Sequence, residues 1–337
     1  MIWKITIIVA LIWGIYKLYQ YRKNAPVRYS SKFPYDDATI TWCADFLGVN
    51  KQELVKILKN TPKHYKHFRL RKRKGGSRKI SAPVPNLKLI QQTIYLRSLL
   101  PVHLHSAATG FRQGMSIVDN ASVHLGNKYI LKTDIHDFFG SIHTNRVKKV
   151  FEKIGYPEQV AKILTHLCCL NRCLPQGAPT SPALSNIIAY EMDRQLTLLA
   201  RRYNLTYSRY ADDLTFSGNL ISDNALLLKV KEIVEEQKFK LNDAKTRFIK
   251  PNNQKIVTGI SISSGVKLTI PKKKKRELRQ IIYFIRTKGL DEHKKYIQST
   301  DSIYLKRIIG YLYFWLSVEP DNQYVRTSID TLEKIGK

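Results

Sequence analysis

The sequence predicts an α+β fold with a central antiparallel sheet, a helical C-terminal region and a hydrophobic helix at the N-terminus. Three observations predict it. Two β-prone runs, 206–210 and 214–217, flank Ala211-Asp212-Asp213 and read as a hairpin with carboxylates at its tip. Segments on either side carry apolar residues at helical spacing. From Lys272 onward the chain reads as helical and basic, with a very apolar stretch at 303–316.

At the N-terminus, residues 5–16 carry no charge, and the apolar stretch extends raggedly over 2–21. Lys4 and Lys17 interrupt it. A spanning helix needs about 20 apolar residues, or about 17 at the short end, and snorkelling lysines can make up a shortfall. Trp3, Trp13, Tyr16, Tyr19 and Tyr21 suit a membrane interface. Residues 1–23 are therefore expected to be an uncleaved membrane anchor or a helix packed on the body. Lys17, Arg22, Lys23, Arg28 and Lys32 would keep the body cytoplasmic. Cys43, Cys168, Cys169 and Cys173 fit no zinc spacing and read as buried free thiols of a reducing compartment.

Residues 24–62 are expected to hold a linker, with Pro26 and Pro34 as breakers, and then helices over 36–60 with Gly48 between two apolar stretches. Residues 63–79 contain nine Lys or Arg and no acid around Gly75-Gly76. They read either as a basic β-hairpin suited to phosphate or as a solvated charged loop. A helix is expected at 86–100 and a short strand at 129–133, ending on Asp134. Another helix is expected at 182–200, with Ser181 as N-cap and Pro182 in its first turn. Residues 223–239 read as helix. Residues 255–262 and 266–270 read as a strand pair turning at Ser264-Gly265.

Charge narrows the function. Fifty-seven Lys and Arg against 26 Asp and Glu give a formal net charge of +31. Nucleic acid is the leading partner and an anionic membrane the second. Adjacent Asp212 and Asp213 repel each other, and a bound divalent cation relieves that repulsion. Mg²⁺ prefers hard oxygen ligands and bridges carboxylates to phosphates. Asp134, at a strand end, would complete a two-metal clamp. An isolated Asp-Asp pair in a turn is ordinary; the neighbouring features give this one its meaning.

Those features carry a resemblance. Tyr210-Ala211-Asp212-Asp213 resembles the Tyr-x-Asp-Asp box of reverse transcriptases, and its flanks, 207–209 and 214–218, resemble the bacterial branch. Residues 174–182, with Pro175-Gln176-Gly177, resemble the template- and nucleotide-contacting box, and residues 131–139 the first catalytic box. All lie in the family's order. Asn120-Ala121-Ser122-Val123-His124 and Val257-Thr258-Gly259 resemble two boxes of the retron group. The resemblance is strong over 63–270 and weak over the C-terminal helices. The hydrophobic N-terminus departs from it.

The resemblance implies a right-hand polymerase fold: fingers and palm over 63–270, with the antiparallel sheet in the palm, and a helical, RNA-binding thumb over 271–337. Asp134, Asp212 and Asp213 would bind Mg²⁺, helped by the Ile135 carbonyl. Phe139 would lie under the incoming sugar, or pack in the core. Gln176 would contact nucleotide or template. Arg78, and less directly Arg71, would bind the triphosphate of a dNTP. Lys245 would protonate the leaving pyrophosphate, or be a surface lysine without a role. Asn120, His124, Val257, Thr258 and Gly259 would contact the enzyme's own structured RNA. The partners implied are a cognate non-coding RNA, its RNA–DNA product, dNTPs and an accessory effector protein in anti-phage defence. Retron-type synthesis would begin from a 2′-hydroxyl and leave a branched RNA–DNA. A group II intron-like enzyme and an inactive membrane-tethered RNA-binding scaffold are the alternatives.

Overall fold

The computed structural model describes residues 34–72, 75–220 and 223–336. The expected N-terminal hydrophobic helix, its possible membrane association and most of the linker lie outside the described residues. Among the described residues no helix is long and apolar enough to cross a membrane.

The chain begins with α1 (Asp37–Leu47) and α2 (Lys51–Lys59), followed by the hairpin β1 (Tyr65–Arg71) and β2 (Ser77–Pro83). Next come α3 (Pro85–Ile94), α4 (Ile117–Ser122) and β3 (Tyr129–Asp134). Four helices follow: α5 (Thr144–Ile154), α6 (Glu158–Cys168), α7 (Ser181–Ile188) and α8 (Tyr190–Arg202). The hairpin β4 (Thr206–Tyr210) and β5 (Asp213–Gly218) leads to α9 (Asp223–Glu236) and β6 (Arg247–Ile249). After β7 (Ile256–Val257) and β8 (Ile260–Ser261) come α10 (Lys272–Lys288), α11 (Leu290–Tyr296), α12 (Tyr304–Val318) and α13 (Gln323–Ile335). The expected mixture of helix and antiparallel sheet is present.

Two compact units alternate along the chain. Of the described residues, the first takes 34–72, 75–105, Ile135–Arg194 and Val234–Lys240. Here the helical stretch expected at 36–60 is two helices. Asp36 caps α1 by accepting from the Thr39 amide at 2.9 Å. Gly48 ends it at φ 69°, a left-handed conformation that glycine adopts without strain. Asn50 then caps α2. Leu54, Leu87, Ile90, Val160, Leu164 and Leu167 are fully buried. The helix expected at 86–100 is α-helical only to Ile94 and finishes as a π turn over Tyr95–Leu99. The helix expected at 182–200 is broken at Ala189 into α7 and α8. Ser181 is its first helical residue and not its cap. Its hydroxyl donates instead to the Pro175 carbonyl at 2.8 Å. The described cysteines are free, with Cys43, Cys168 and Cys169 buried, as their spacing suggests.

The second unit takes Ser106–Asp134, Gln195–Ile233 and Leu241–Lys337. Its sheet runs β4-β5-β3-β6, every neighbour antiparallel. Residues 107–109 run along the outer edge of β4. The Arg209 amide donates to the Ala107 carbonyl at 2.7 Å, and the Thr109 amide to the Arg209 carbonyl at 2.9 Å. The strand pair expected over 255–270 is different in detail. β7 pairs with β8 across a turn at Thr258-Gly259, and only a single bridge, Ser261 to Thr269, spans Ser264-Gly265. Each strand of this tight hairpin is only two residues long, with Val257 and Ile260 paired and buried, too short a pattern for a longer-period reading to mark.

One apolar core joins α10, α12 and α13 to Val257, Ile260 and Ile270. Trp315 is its largest side chain and is fully buried. Lys275, which pairs with Glu319 at 2.7 Å, lies over its ring. Trp315→Ala is expected to cost about 3–5 kcal/mol of stability. The check is a lower urea midpoint at unchanged slope.

Candidate active site

The site is built on the register of three strands. Asp134 ends β3 directly opposite Asp213, the first residue of β5. Residues paired in an antiparallel register point to the same face, with Cβ atoms about 4.5–5.5 Å apart. Tyr210, the last residue of β4, is opposite Asp213 on its other side. Only Ala211 and Asp212 remain for the loop. Ala211 has φ 58° and Asp212 does not share it, the pattern of a type II′ hairpin turn. Asp212 is thus projected from the tip, beside the other two carboxylates.

Electrostatics confirm the crowding. Burial, then the charges of Asp134 and Asp213, push the Asp212 carboxyl up to about 6. Asp134 is buried. Its Oδ1 accepts from Lys245 Nζ at 2.7 Å. Its carbonyl accepts from the Asn242 amide at 2.8 Å. The hydroxyls of Thr133 and Thr246 meet at 2.8 Å. The 242–246 segment therefore fastens the end of β3 that carries Asp134. Among the described residues no three carboxylate, imidazole or thiol groups already converge as a metal cage. The donor set is nonetheless the kind a hard divalent cation takes: carboxylate oxygens, one of them held up in pKa by burial and by the charges of the other two.

Two residues that the sequence reading passed over hold the tip in place. Gly110 lies flat behind it. A Cβ built there would be 2.5 Å from the Ala211 nitrogen and 3.0 Å from the Tyr210 carbonyl carbon. Arg209 is fully buried, and its guanidinium donates to the Ala211 carbonyl at 3.0 Å. The only sequence signals were an isolated glycine outside any turn pattern and a lone arginine in a β-prone run.

The first unit carries the residues expected to bind nucleotide. Arg71 and Arg78 are both exposed near the outer end of the β1–β2 ribbon. Arg71 pairs with Ser77, and Arg78 with Leu70. Side chains alternate along a strand, so the two arginines point to opposite faces of the ribbon. The ribbon does not bring them together. The Gln176 carbonyl accepts from the Ser81 amide of β2 at 2.8 Å. Gly177, at φ 126°, passes so close that a Cβ would stand 2.9 Å from the Ser81 carbonyl oxygen. The Pro175-Gln176-Gly177 box is thereby fixed to the basic hairpin, with the Gln176 side chain half-buried. Phe139 is half-buried, its ring 5.7 Å from that of Phe138. Ile135 is buried.

The residues expected to touch RNA divide in two. Asn120, His124 and Val257 are buried to within 1 % of complete. Side chains so placed cannot contact a polyanion, and that expectation is corrected: they serve the interior. Thr258 is half-buried and Gly259 exposed, at the tip of the β7–β8 turn. His124 bonds through both ring nitrogens, Nδ1 to the Ser217 hydroxyl at 2.6 Å and Nε2 to the Ser208 hydroxyl at 2.7 Å.

Burial, helped by the charge of Lys132, holds the His124 imidazole down to about 3. An unfolded histidine takes its proton near 6.5. The stability from keeping it neutral is present above that value and is lost as pH falls from 6.5 towards 3. At about pH 5 the loss is on the order of 2 kcal/mol. Asp212, raised to about 6, regains its proton over the same range and works in the opposite sense. The difference from His124→Gln isolates the histidine. Between about pH 7.5 and about pH 5 the wild type should lose on the order of 2 kcal/mol more than the variant. Equal losses in urea titrations would refute the buried, neutral ring.

Comparison with known proteins agrees with this geometry. The reverse transcriptase (RNA-dependent DNA polymerase) family model matches residues 66–283. That is more than half of the chain, and the chain belongs to this family. It is 34% identical to the retron Ec86 reverse transcriptase of Escherichia coli over 245 residues, 70% of this chain and 75% of the relative. It is 33% identical to the retron Mx162 reverse transcriptase of Myxococcus xanthus, over 66% of this chain and 53% of the relative. The retron Mx65 enzyme of the same organism is 32% identical, over 74% of this chain and 63% of the relative. The chain thus spans between about half and two thirds of the two Myxococcus relatives. The resemblance to bacterial retron reverse transcriptases read from the motifs is borne out by these relatives, and with it the polymerase fold.

Proposed function

We propose that this chain is an RNA-directed DNA polymerase of the retron kind. The observation that carries the reading is the register that sets Asp134 opposite Asp213 with Asp212 at the adjoining tip. Mg²⁺ held by these carboxylates would activate the attacking hydroxyl and neutralise the leaving pyrophosphate. The chain's own residues bind and orient. The β3–β5 sheet is the palm and the basic β1–β2 ribbon belongs to the fingers. Arg78 binds the triphosphate through its guanidinium fork, with Arg71, on the other face, engaging template or solvent. The half-exposed Phe139 ring lies under the incoming sugar, and Gln176 steadies nucleotide or template from a box fixed to β2. The Ile135 carbonyl would add an oxygen ligand for Mg²⁺. Lys245, already at 2.7 Å from Asp134, donates the proton that the pyrophosphate takes.

The basic helix α10 (Lys272–Lys288) is the thumb face and grips an A-form duplex by backbone and shape. Similarity to retron enzymes supports a cognate structured RNA as template, a 2′-hydroxyl as primer, a branched RNA–DNA product, and a defence role beside an effector. Gly259, exposed at the β7–β8 turn, is the part of the two retron-like boxes that can reach this RNA.

The test is synthesis. Purified protein with Mg²⁺, dTTP and oligo(dT) on poly(rA) should extend the primer, and no extension refutes the reading. On RNA isolated with the protein, a 2′–5′ branch in the product supports the retron priming. A product extended only from a 3′ end favours the intron-like alternative.

A further inference from the structure

The network around His124 has a direction. The Ser208 hydroxyl has one hydrogen, and the acceptor it faces is Asn120 Oδ1 at 2.8 Å. Ser208 must therefore accept from His124, so Nε2 carries the ring proton and donates at 2.7 Å. Nδ1 then accepts from the Ser217 hydroxyl at 2.6 Å, whose oxygen accepts from Asn127 Nδ2 at 2.7 Å. On the other side, Asn120 Nδ2 donates to the Thr258 hydroxyl at 3.4 Å, which donates to the Ile117 carbonyl at 3.0 Å. These six hydrogen bonds run head to tail from Asn127 to Ile117. Chains of this kind strengthen their members through mutual polarisation.

The chain crosses both strands of the hairpin that carries the aspartates. Ser208 lies in β4, two residues before Tyr210, and Ser217 lies in β5, paired with Thr206. Both are buried. A hydrogen-bond chain resists a strand shift at these positions, because a slipped link leaves a buried polar group unsatisfied. Thr258 shows what the arrangement costs elsewhere. It sits at φ 46°, a conformation that a β-branched residue rarely adopts and that glycine would take freely. A threonine there supplies the one thing a glycine lacks, the hydroxyl that ends the chain.

We infer that Asn120, His124 and Thr258 are positioning residues, whose one-way hydrogen-bond chain fixes the β4–β5 hairpin and so the placement of Asp212 and Asp213. The two retron-like boxes, which meet in space through Asn120 and Thr258, then act on catalysis from behind the sheet. This rests on the polymerase reading above.

The experiment compares Thr258→Ser, Thr258→Val and Thr258→Gly on poly(rA)·oligo(dT) with dTTP and Mg²⁺, below the melting temperature of every variant. Serine keeps the hydroxyl and should hold kcat within about threefold, whereas valine and glycine should each lower kcat about tenfold with KM for the primed template unchanged. Ser208→Ala should lower kcat similarly. Combined with Thr258→Val it should cost no more than either alone, because both break one unit. A raised KM with unchanged kcat would instead make Thr258 an RNA contact and overturn the inference. So would glycine matching or exceeding wild-type kcat, the result if only backbone conformation matters. A readout independent of activity is the ¹⁵N spectrum of the histidine rings, assigned by loss of one signal in His124→Gln. The inference requires a neutral His124 protonated at Nε2, and the Nδ1–H form overturns it. No extension by the wild type defeats the polymerase reading alone, since the ring signal still decides whether the chain of bonds exists.

Discussion

Replacing Asp212 with asparagine is expected to lower DNA synthesis at least about a thousandfold and, at the same time, to make the protein more stable. Both effects have one cause. Burial and the neighbouring charges of Asp134 and Asp213 raise the Asp212 carboxyl to about 6. A carboxyl raised in this way contributes stability that is full below about 4, its unfolded value, and is lost as pH rises through 6. At about pH 8 the wild type therefore holds a charge that the fold opposes, and the neutral amide removes it. The gain should be on the order of 1–2 kcal/mol, discounted for the solvent that still reaches the tip. It should fade as pH falls through about 6. Urea midpoints at the two pH values, together with primer extension, check the pair of effects. A variant that is inactive because it is misfolded would lose stability, and a variant that keeps synthesis would remove Asp212 from the site.

Gly110→Ala should be nearly as damaging, although Gly110 bears no functional group. The added methyl would stand 2.5 Å from the Ala211 nitrogen and 3.0–3.1 Å from two backbone atoms of Tyr210. These are main-chain atoms of the hairpin, so relief must come from moving the tip. Displacing reacting groups by about 1 Å costs about a hundredfold in rate, and overpacking costs about 1–3 kcal/mol in stability. Gly310→Ala is the counterpart. Gly310 lies inside α12 with nothing within 4 Å of its added carbon. There alanine should stabilise by about 0.5–1 kcal/mol through helix propensity and leave synthesis unchanged. Retained synthesis in Gly110→Ala would mean that the 107–110 segment yields and the hairpin does not.

The elements that the sequence announced were those with a strong local pattern. The hairpin at 206–218 has β-prone runs on both sides of a tight loop, although Asp213, expected in the loop, opens β5, and the pairing of Asp134 with Asp213 joins strands too far apart in sequence to show locally. The 303–316 helix is apolar enough to be read at sight and is observed as Tyr304–Val318. Breaks at Ala189 and after Ile94 left no such mark, because neither glycine nor proline announces them. The buried side of the site was the least legible. Gly110 and the His124 chain act through neighbours about 85–140 positions away in sequence. A polar residue in a short motif looks the same in sequence whether it faces solvent or the core. The RNA contacts expected of Asn120 and His124 rest on the resemblance of their box to that of the retron group, and only burial shows which way these side chains face.

The place of β3 in the sheet has a consequence for how the protein is made. It lies between β5 and β6, with Ile130 and Leu131 fully buried in the finished structure. Yet it ends at residue 134, whereas β5 begins at 213 and β6 at 247. A ribosome adding roughly 5–20 residues per second takes about 4–16 s to deliver the first of these partners. Throughout that interval both edges of an apolar strand are bare, and no contiguous fragment ending before residue 213 can cover them. Nascent chains stalled between the two points should be the most aggregation-prone stage of synthesis, and the stage at which holding chaperones are most strongly engaged.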